Sequence, residues 1–211
     1  NKWKIQFYNH TNTLKLHIGC GENIIPWWLN TDIKCRKNVV YLDAGKRFPF
    51  RDCTFDYIFS EHVFEHLDFE AERNMLNESF RVLKNEGILR LSTPNLDFLK
   101  NLYEDPENDN NKKYIEWAWK RFIPKIYTSF SKRTSLNVFV INNFFRDWGH
   151  QIIHNYSSLN EMLLDAGFKK TKRVEMWESI SQELKNLERH SSCIGESFNR
   201  MESMIVEAIK I

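Results

Sequence analysis

The chain has 211 residues, of which 27% are charged, and its formal net charge at neutral pH is only +2. A chain of this length encloses one substantial hydrophobic core, so we expect one domain with an insertion. The small net charge excludes a protein-wide field for binding polyanions, and no apolar run reaches the ~18–20 residues that a membrane span needs. The cysteines lack metal-binding spacing, which predicts reduced thiols in a cytoplasmic protein; they are Cys20, Cys35, Cys53 and Cys193.

The first predicted element is an apolar strand that runs into a tight glycine turn. The strand covers Leu14–Ile18, and the turn is Gly19-Cys20-Gly21. Glycine has no Cβ, so the backbone of such a turn can adopt a positive φ and approach a ligand closely. A second short strand ends in Asp32, whose carboxylate can accept hydrogen bonds from both hydroxyls of a ribose. A glycine-rich first turn followed by an acid is typical of nucleoside-binding α/β domains.

The connection between the glycine turn and the acid is unusually short. Ten residues separate Gly21 from Asp32, and Pro26 is one of them. This length does not accommodate an ordinary helix followed by a strand. We therefore expect a turn or loop in place of the first helix.

The next elements continue an alternating α/β pattern up to residue 95. Val39–Asp43 is a third β-rich run that ends in an acid, and Cys53–Ser60 predicts a fourth strand. A helix over Glu70–Leu83 has its apolar residues at helical spacing, which places them on one buried face. A fifth strand follows within Lys84–Ser92.

Residues 96–150 have the character of an insertion. A polar loop, Glu104–Asn111, lies between the core and two aromatic-rich helical patterns, Lys113–Phe122 and Leu136–Trp148. From Lys112 to Arg146 there are eight basic residues against one acid. Aromatic side chains among cations can stack bases and hold phosphates. We favour the alternative, a helical cap whose aromatics form their own small core beneath a solvated basic face.

The last stretch returns to the core. A helix capped by Ser157 or Ser158 runs to Ala166. It is followed by a strand, Lys172–Trp177, a short amphipathic helix, Ile180–Arg189, and a final strand, Ser203–Ile211.

The order of these motifs resembles that of class I S-adenosylmethionine (SAM) dependent methyltransferases. The segments that carry the resemblance are Gly19-Cys20-Gly21, Asp32, Asp43, Pro49-Phe50, Phe55-Asp56, Glu65-His66-Leu67, Arg81–Lys84, Gly87-Ile88-Leu89 and Leu163–Phe168. The resemblance implies an α/β fold: a doubly wound, seven-stranded Rossmann-like sheet with a helical lid. Residues 1–95 and 151–211 would form the SAM-binding core, and residues 96–150 the lid over the acceptor.

The resemblance also implies a reaction and a set of site residues. The chain would transfer a methyl group from SAM to an oxygen or nitrogen acceptor and release S-adenosylhomocysteine. We expect a small-molecule acceptor rather than a nucleic acid, and the oligomeric state is not predicted. The alternative is an inactive methyltransferase-like module that binds a partner through the basic insertion. The implied cofactor contacts are Gly19, Cys20, Gly21, Asp32, Ile33, Asp43, Ala44, Ser60 and Glu61, and the candidate catalytic residues are His62 and His150.

The segment from His62 to His66 has three interpretations. His-x-x-Glu-His matches an inverted zinc-peptidase pattern, in which two histidines on one helix face bind a metal and the glutamate acts as base. The segment also resembles methyltransferases acting on RNA ends or quinone precursors, in which Glu-x-x-Glu-His and a distant histidine bind a divalent ion. Here His62 replaces the first glutamate, and His150 or His154 would be the distant ligand. We favour the third interpretation, in which Glu65 and His66 only anchor the helix start, and we assign no metal ligand.

Overall fold

A single mixed sheet organises the chain, of which the computed structural model describes residues 13–124 and 135–211. Within those ranges the strands are β1 (Lys15–Ile18), β2 (Leu29–Asp32), β3 (Val40–Tyr41), β4 (Phe55–Glu61), β5 (Leu83–Pro94), β6 (Lys170–Val174) and β7 (Ser203–Ile209). They pair in the order β3-β2-β1-β4-β5-β7-β6. The first five strands run parallel, whereas β7 is antiparallel to both β5 and β6. The predicted doubly wound, seven-stranded sheet is confirmed.

The helices follow the strands in the same described ranges. They are α1 (Phe69–Val82), α2 (Leu96–Glu104), α3 (Asp109–Phe122), α4 (Leu136–Arg146), α5 (Tyr156–Asp165), α6 (Ser191–Ile194) and α7 (Glu196–Glu202). Asp68 caps α1 by accepting a hydrogen bond from the Ala71 N–H at 2.9 Å. Asn155 caps α5, where we expected Ser157 or Ser158, because its side chain accepts from the Ser158 N–H.

Between β1 and β2 the chain forms turns and no helix, as the short connection predicts. The buried Asn30 side chain holds this connection in place. Its Oδ1 accepts from the Ile25 N–H at 3.0 Å, and its Nδ2 donates to the Ile25 and Trp28 carbonyls at 2.9 and 3.0 Å. These bonds pair backbone groups that a helix would otherwise satisfy internally.

Three separate apolar clusters lie in the described part of the chain, and two of them support α1 to α5. The main one packs α1 and α5 against the sheet, with Leu16, Ile58 and Leu89 fully buried. The second joins α2, α3 and α4 around Tyr114 and Phe144. In this second cluster Phe198 and Met201 of α7 also take part, so residues 96–150 share their core with the C-terminal segment.

Several sequence predictions of local structure are wrong. The helix expected over Ile180–Arg189 is only a 3₁₀ turn, Gln182–Leu184, and the strand expected over Lys172–Trp177 is shifted to β6. The polar loop before α3 is shorter than predicted, because α3 already begins at Asp109, capped by Asn108. Helices α2, α6 and α7 were not predicted.

No helix in the described part of the chain is both long and apolar enough to cross a bilayer. All four cysteines carry free thiols.

Candidate active site

Six of the nine predicted cofactor residues lie at one edge of the sheet, at the ends of four neighbouring strands. Parallel strands point their carboxyl ends the same way, so β1, β2, β3 and β4 deliver their following residues to a common edge. The Gly19–Gly21 turn follows β1, Asp32 ends β2, Asp43 follows β3, and Ser60 lies near the end of β4. We call these residues the cofactor edge.

The glycine turn has the conformation that requires glycine. Gly19 has φ +66°, and a Cβ there would lie 2.2 Å from Cγ2 of Val63. Gly21 has φ +51°, and a Cβ there would meet no atom within 4 Å. The space beside Gly21 is therefore open, while Val63 closes the space beside Gly19.

The Asp32 carboxylate holds this turn in place. Its Oδ2 accepts from the Gly21 N–H at 2.9 Å, and its Oδ1 accepts from the Lys34 N–H at 2.8 Å. A carboxylate has about four acceptor positions, so further bonds to a ligand are available on both oxygens. The side chain thus fits both a structural role and a role in binding hydroxyl groups.

The other predicted cofactor residues differ in what they offer. The Cys20 side chain is buried, and burial, together with the Asp32 charge, raises the pKa of its thiol to about 11. Ile33 is 61% exposed beside Asp32 and presents an apolar surface, whereas Ala44 is buried. The Asp43 carboxylate accepts from the Gly45 N–H at 3.0 Å.

Ser60 and Glu61 at the end of β4 have different environments. The Ser60 hydroxyl is buried and has no hydrogen-bond partner among the described residues. Buried hydroxyls are rarely unpaired, so this one fits a polar group of a bound ligand. The Glu61 carboxylate, in contrast, accepts from the backbone N–H groups of Arg189 and His190 at 2.9–3.0 Å. Glu61 therefore positions the C-terminal segment.

A cavity of about 230 Å³ lies beyond the ends of β4 and β5. We call it the acceptor cavity. Its walls combine aromatic side chains of α3, α4 and the turn after α4 with histidines and carboxylates: His62, Glu65, His66, Tyr114, Arg121, Phe122, Phe144, Trp148, His150, His190, Cys193 and Glu202.

His62 enters the wall of this cavity in a backbone conformation that is uncommon for its residue type, with φ +50°. Its Nδ1 lies 3.0 Å from Glu65 Oε1, and its Nε2 lies 3.0 Å from Ser203 Oγ. Ser203 donates its own proton to Asn199 Oδ1 at 2.7 Å, so it accepts from His62. Both ring nitrogens of His62 therefore donate, which describes the imidazolium form.

The charges around His62 favour its imidazolium form. Burial acts to lower the pKa of His62, but the charges of Glu65, Glu202 and Glu61 and the bond to Glu65 outweigh it and raise the pKa above its ordinary value. The His62 ring also stacks on His190, with ring centroids 3.9 Å apart.

The structure brings His66 and His150 together, but not His154. Ligand atoms of Glu65, His66 and His150 all lie within 4.8 Å of one another. His150 Nδ1 donates to the Phe144 carbonyl at 2.7 Å, which leaves Nε2 with the lone pair. His154 instead places Nε2 3.1 Å from Glu72 and Nδ1 2.9 Å from Ser158, away from the cavity.

Sequence reasoning missed three further cavity residues, Tyr114, His190 and Glu202. The Tyr114 hydroxyl donates to Glu202 Oε2, and His190 Nε2 lies 3.3 Å from Glu202 Oε1. Burial, together with the Glu202 charge, raises the pKa of Tyr114 well above its ordinary value. Tyr114 and Glu202 are 88 residues apart, and no local pattern links them.

Comparison with known proteins agrees with this architecture. Residues 29–91 match the family model described as a methyltransferase domain. This segment of the chain is therefore similar to methyltransferase domains. The predicted resemblance to SAM-dependent methyltransferases, the enzyme class and the cofactor, SAM, are thereby confirmed.

Similar structures share the fold of this chain across nearly its whole length. A SAM-dependent methyltransferase from Archaeoglobus fulgidus is 20% identical, with a TM-score of 0.51, covering 94% of this chain and 87% of that one. A SAM-dependent methyltransferase from Thermotoga maritima, described as a possible histamine N-methyltransferase, is 14% identical, with a TM-score of 0.51, covering 96% and 84%. An uncharacterized protein of Methanocaldococcus jannaschii is 25% identical over 97% of this chain and 82% of its own length.

Proposed function

We propose that this methyltransferase transfers the methyl group of SAM to an oxygen or nitrogen atom of a small molecule bound in the acceptor cavity. The observation that carries the proposal is the position of the segment between β4 and α1. Val63 packs on Gly19 of the cofactor edge, while its neighbour His62 and the nearby Glu65 line the cavity. One short segment thus separates the two sites, as an in-line transfer between bound molecules requires.

The proposed cofactor contacts are the cofactor edge and the neighbouring Ile33. Asp32 would accept the ribose hydroxyls, Ile33 would cover one face of the adenine, and Asp43 would lie near its amino group. The open space beside Gly21 allows close approach of the backbone, and the unpaired Ser60 hydroxyl offers a polar partner. Bound SAM supplies the electrophilic methyl group; the chain contributes binding, orientation and exclusion of water.

A small-molecule acceptor is supported by the contacts of the aromatic residues. Trp117 packs on Phe122 and Phe198, with centroids 5.2 and 4.7 Å apart, and Trp148 packs on Phe144 at 5.7 Å. These rings form the core and cavity wall rather than a platform on which bases could stack. The cavity volume, about 230 Å³, also suits a small acceptor.

Of the two proposed catalytic histidines, His150 uses only Nδ1 in a hydrogen bond to the described residues. Both nitrogens of His62 are hydrogen-bonded, so a His62 base would first have to give up one of these bonds. His62 then serves mainly to orient Glu65 and the cavity wall. The cytoplasmic location and the extent of the 96–150 lid stay predictions.

The test is transfer of labelled methyl groups. Purified protein is incubated with methyl-labelled SAM and with separate fractions of a cell extract: small molecules, protein and RNA. We expect label only in the small-molecule fraction, and its loss in Asp32→Ala. Label in RNA would contradict the acceptor class. Binding of S-adenosylhomocysteine without label transfer to any fraction would favour the inactive binding module.

A further inference from the structure

A row of side chains lines the acceptor cavity from its opening to its buried end. The Arg121 guanidinium carbon lies 5.7 Å from the Phe122 ring centroid, Phe122 packs on Trp148 at 5.0 Å, and Trp148 packs on His150 at 5.6 Å. One nitrogen of His150 then lies within 4.8 Å of a Glu65 oxygen. Arg121 is exposed and Glu65 is fully buried, so the cavity has an outer end at Arg121 and an inner end at Glu65.

The carboxylates of the inner end are already paired. Each oxygen of Glu65 and of Glu202 has a hydrogen-bond partner on a neighbouring side chain. The imidazolium of His62, 3.0 Å from Glu65 Oε1, balances the charge of that carboxylate and repels other cations. The inner end is therefore a poor site for an acceptor that carries a positive charge.

The guanidinium of Arg121 at the outer end has donors to spare. A guanidinium carries five N–H donors in a rigid fork. Within residues 13–124 and 135–211, Arg121 donates one hydrogen bond, from Nη2 to the Cys193 carbonyl of α6, and at 3.5 Å this bond is long. In the same ranges no carboxylate forms an ion pair with it. The open hydrogen-bonding capacity at the mouth of the cavity is thus cationic.

We propose that the acceptor is a small, largely apolar molecule with one carboxylate or phosphate group, which Arg121 binds at the outer end of the cavity. This inference rests on the proposed function, since it places the methyl-accepting atom at the inner end. The guanidinium fork can donate to two oxygens of either anion at once. The apolar part of the acceptor packs on Phe122, Phe144 and Trp148. Arg121 thereby selects the acceptor without touching the reacting atoms.

Four aromatic probes of similar size test this charge preference in the absence of cofactor. Benzoate, phenyl phosphate, benzamide and benzylamine are titrated separately into the full chain, and binding is measured by calorimetry. We expect the two anions to bind at least about tenfold more tightly than neutral benzamide, and benzylamine to bind no better than benzamide. Arg121→Gln should abolish the advantage of the anions. Arg121→Lys should keep part of it, because an ammonium group retains the charge but not the fork.

Lys120→Gln is the matched control. It removes the same charge from the neighbouring exposed position of α3, but Lys120 lines a separate depression between α3 and the start of α4. Its benzoate affinity should stay within about twofold of wild type, because an exposed charge outside the cavity is screened. Arg121 is also exposed, so Arg121→Gln is expected to fold, which thermal unfolding verifies.

Equal benzoate affinity in wild type and Arg121→Gln would overturn the proposal. Preferential binding of benzylamine, or failure of both anions to bind, would also overturn it.

The labelled products of methyl transfer give a second readout. An anion-exchange resin at neutral pH should retain them, and Arg121→Gln should raise KM by about tenfold with kcat nearly unchanged, because Arg121 lies away from the transferred methyl group. Labelled small molecules that the resin does not retain would contradict this inference and leave the proposed function standing. Binding of the anionic probes without label in any small molecule would refute the proposed function instead.

Discussion

The hydrogen bonds that hold the cofactor edge join residues close together in the sequence, whereas those that hold the acceptor cavity join residues far apart. The cofactor edge depends on local bonds: Gly21 to Asp32 spans 11 residues, and Asn30 to Ile25 spans five. The acceptor cavity depends on distant ones, such as His62 to Ser203, which spans 141 residues. The cofactor edge is therefore almost self-contained, whereas the acceptor cavity requires the complete fold.

This difference predicts that changes in the cavity affect turnover while leaving cofactor binding intact. His62→Ala removes the cation beside the buried Glu65 carboxylate and opens the cavity wall. We expect turnover to fall by about 10²-fold, the size of effect that a displacement of about 1 Å in an active site can produce. SAM affinity should change only a few-fold. The measurement is label transfer to the acceptor, paired with calorimetry of SAM binding.

Cys193→Ser is the matched control for His62→Ala, because Cys193 lines the same cavity but is exposed. Its turnover should stay within about twofold. Wild-type turnover in His62→Ala would show that the wall between the two sites takes no part in the reaction.

Asn30→Ala tests whether local hydrogen bonds hold the cofactor edge in place. This change removes the amide that pairs the Ile25 and Trp28 backbone groups in the shortened connection. Leaving buried groups unpaired should lower the free energy of unfolding by about 2–4 kcal/mol. Asn142→Ala in α4 is the control, since its amide bonds only the exposed Val138 carbonyl, and it should cost less than about 0.5 kcal/mol. Urea unfolding measures the free energy of unfolding of both variants. Equal losses of stability would mean that the Asn30 bonds do not stabilise the connection that stands in place of a helix.

A smaller effect concerns the pH dependence of stability. Burial lowers the pKa of His17 in β1 from 6.5 to about 4, although the bond to Asn30 and the Asp32 charge oppose this. Below pH 6.5 the unfolded chain binds more protons at this residue than the folded one, so stability is present above that pH and is lost as pH falls toward 4. Between pH 7 and pH 5 this loss amounts to about 2 kcal/mol.

His17→Gln keeps a donor for Asn30 but does not titrate. Its unfolding free energy should therefore fall less than that of wild type over the same pH range, by about 2 kcal/mol. An identical pH slope in wild type and His17→Gln would contradict a neutral, buried His17.

The sequence predicted the cofactor edge better than the cavity for a physical reason. The strand, turn and acid from Leu14 to Asp32 are local, and the lack of space for a helix followed directly from chain length. Tyr114, His190 and Glu202 come together only through folding of the sheet and α7, so no spacing pattern reveals them. Predicted helix boundaries were wrong where a capping side chain sets the first residue of the helix. Asn155, for example, caps α5 and precedes the serines that we expected in this role.

The segment from His62 to His66 shows the same limit. Its pattern allowed a peptidase, a metal site or a structural helix start, and only the tertiary contacts distinguish these. His154 was an equal candidate to His150 in the sequence, but its bond to Glu72 draws it to α1.

The most direct test of the account is calorimetric titration of S-adenosylhomocysteine into wild type and Asp32→Ala. Asp32 both orders the glycine turn, through the Gly21 N–H at 2.9 Å, and offers acceptors for the ribose. The account predicts one site in wild type and affinity weakened by about 10- to 100-fold in Asp32→Ala, or about 1.4–2.7 kcal/mol. The affinity of Asp32→Asn, which keeps an acceptor oxygen, should lie between the affinities of wild type and Asp32→Ala. No heat of binding in wild type, or equal affinity in wild type and Asp32→Ala, would contradict it.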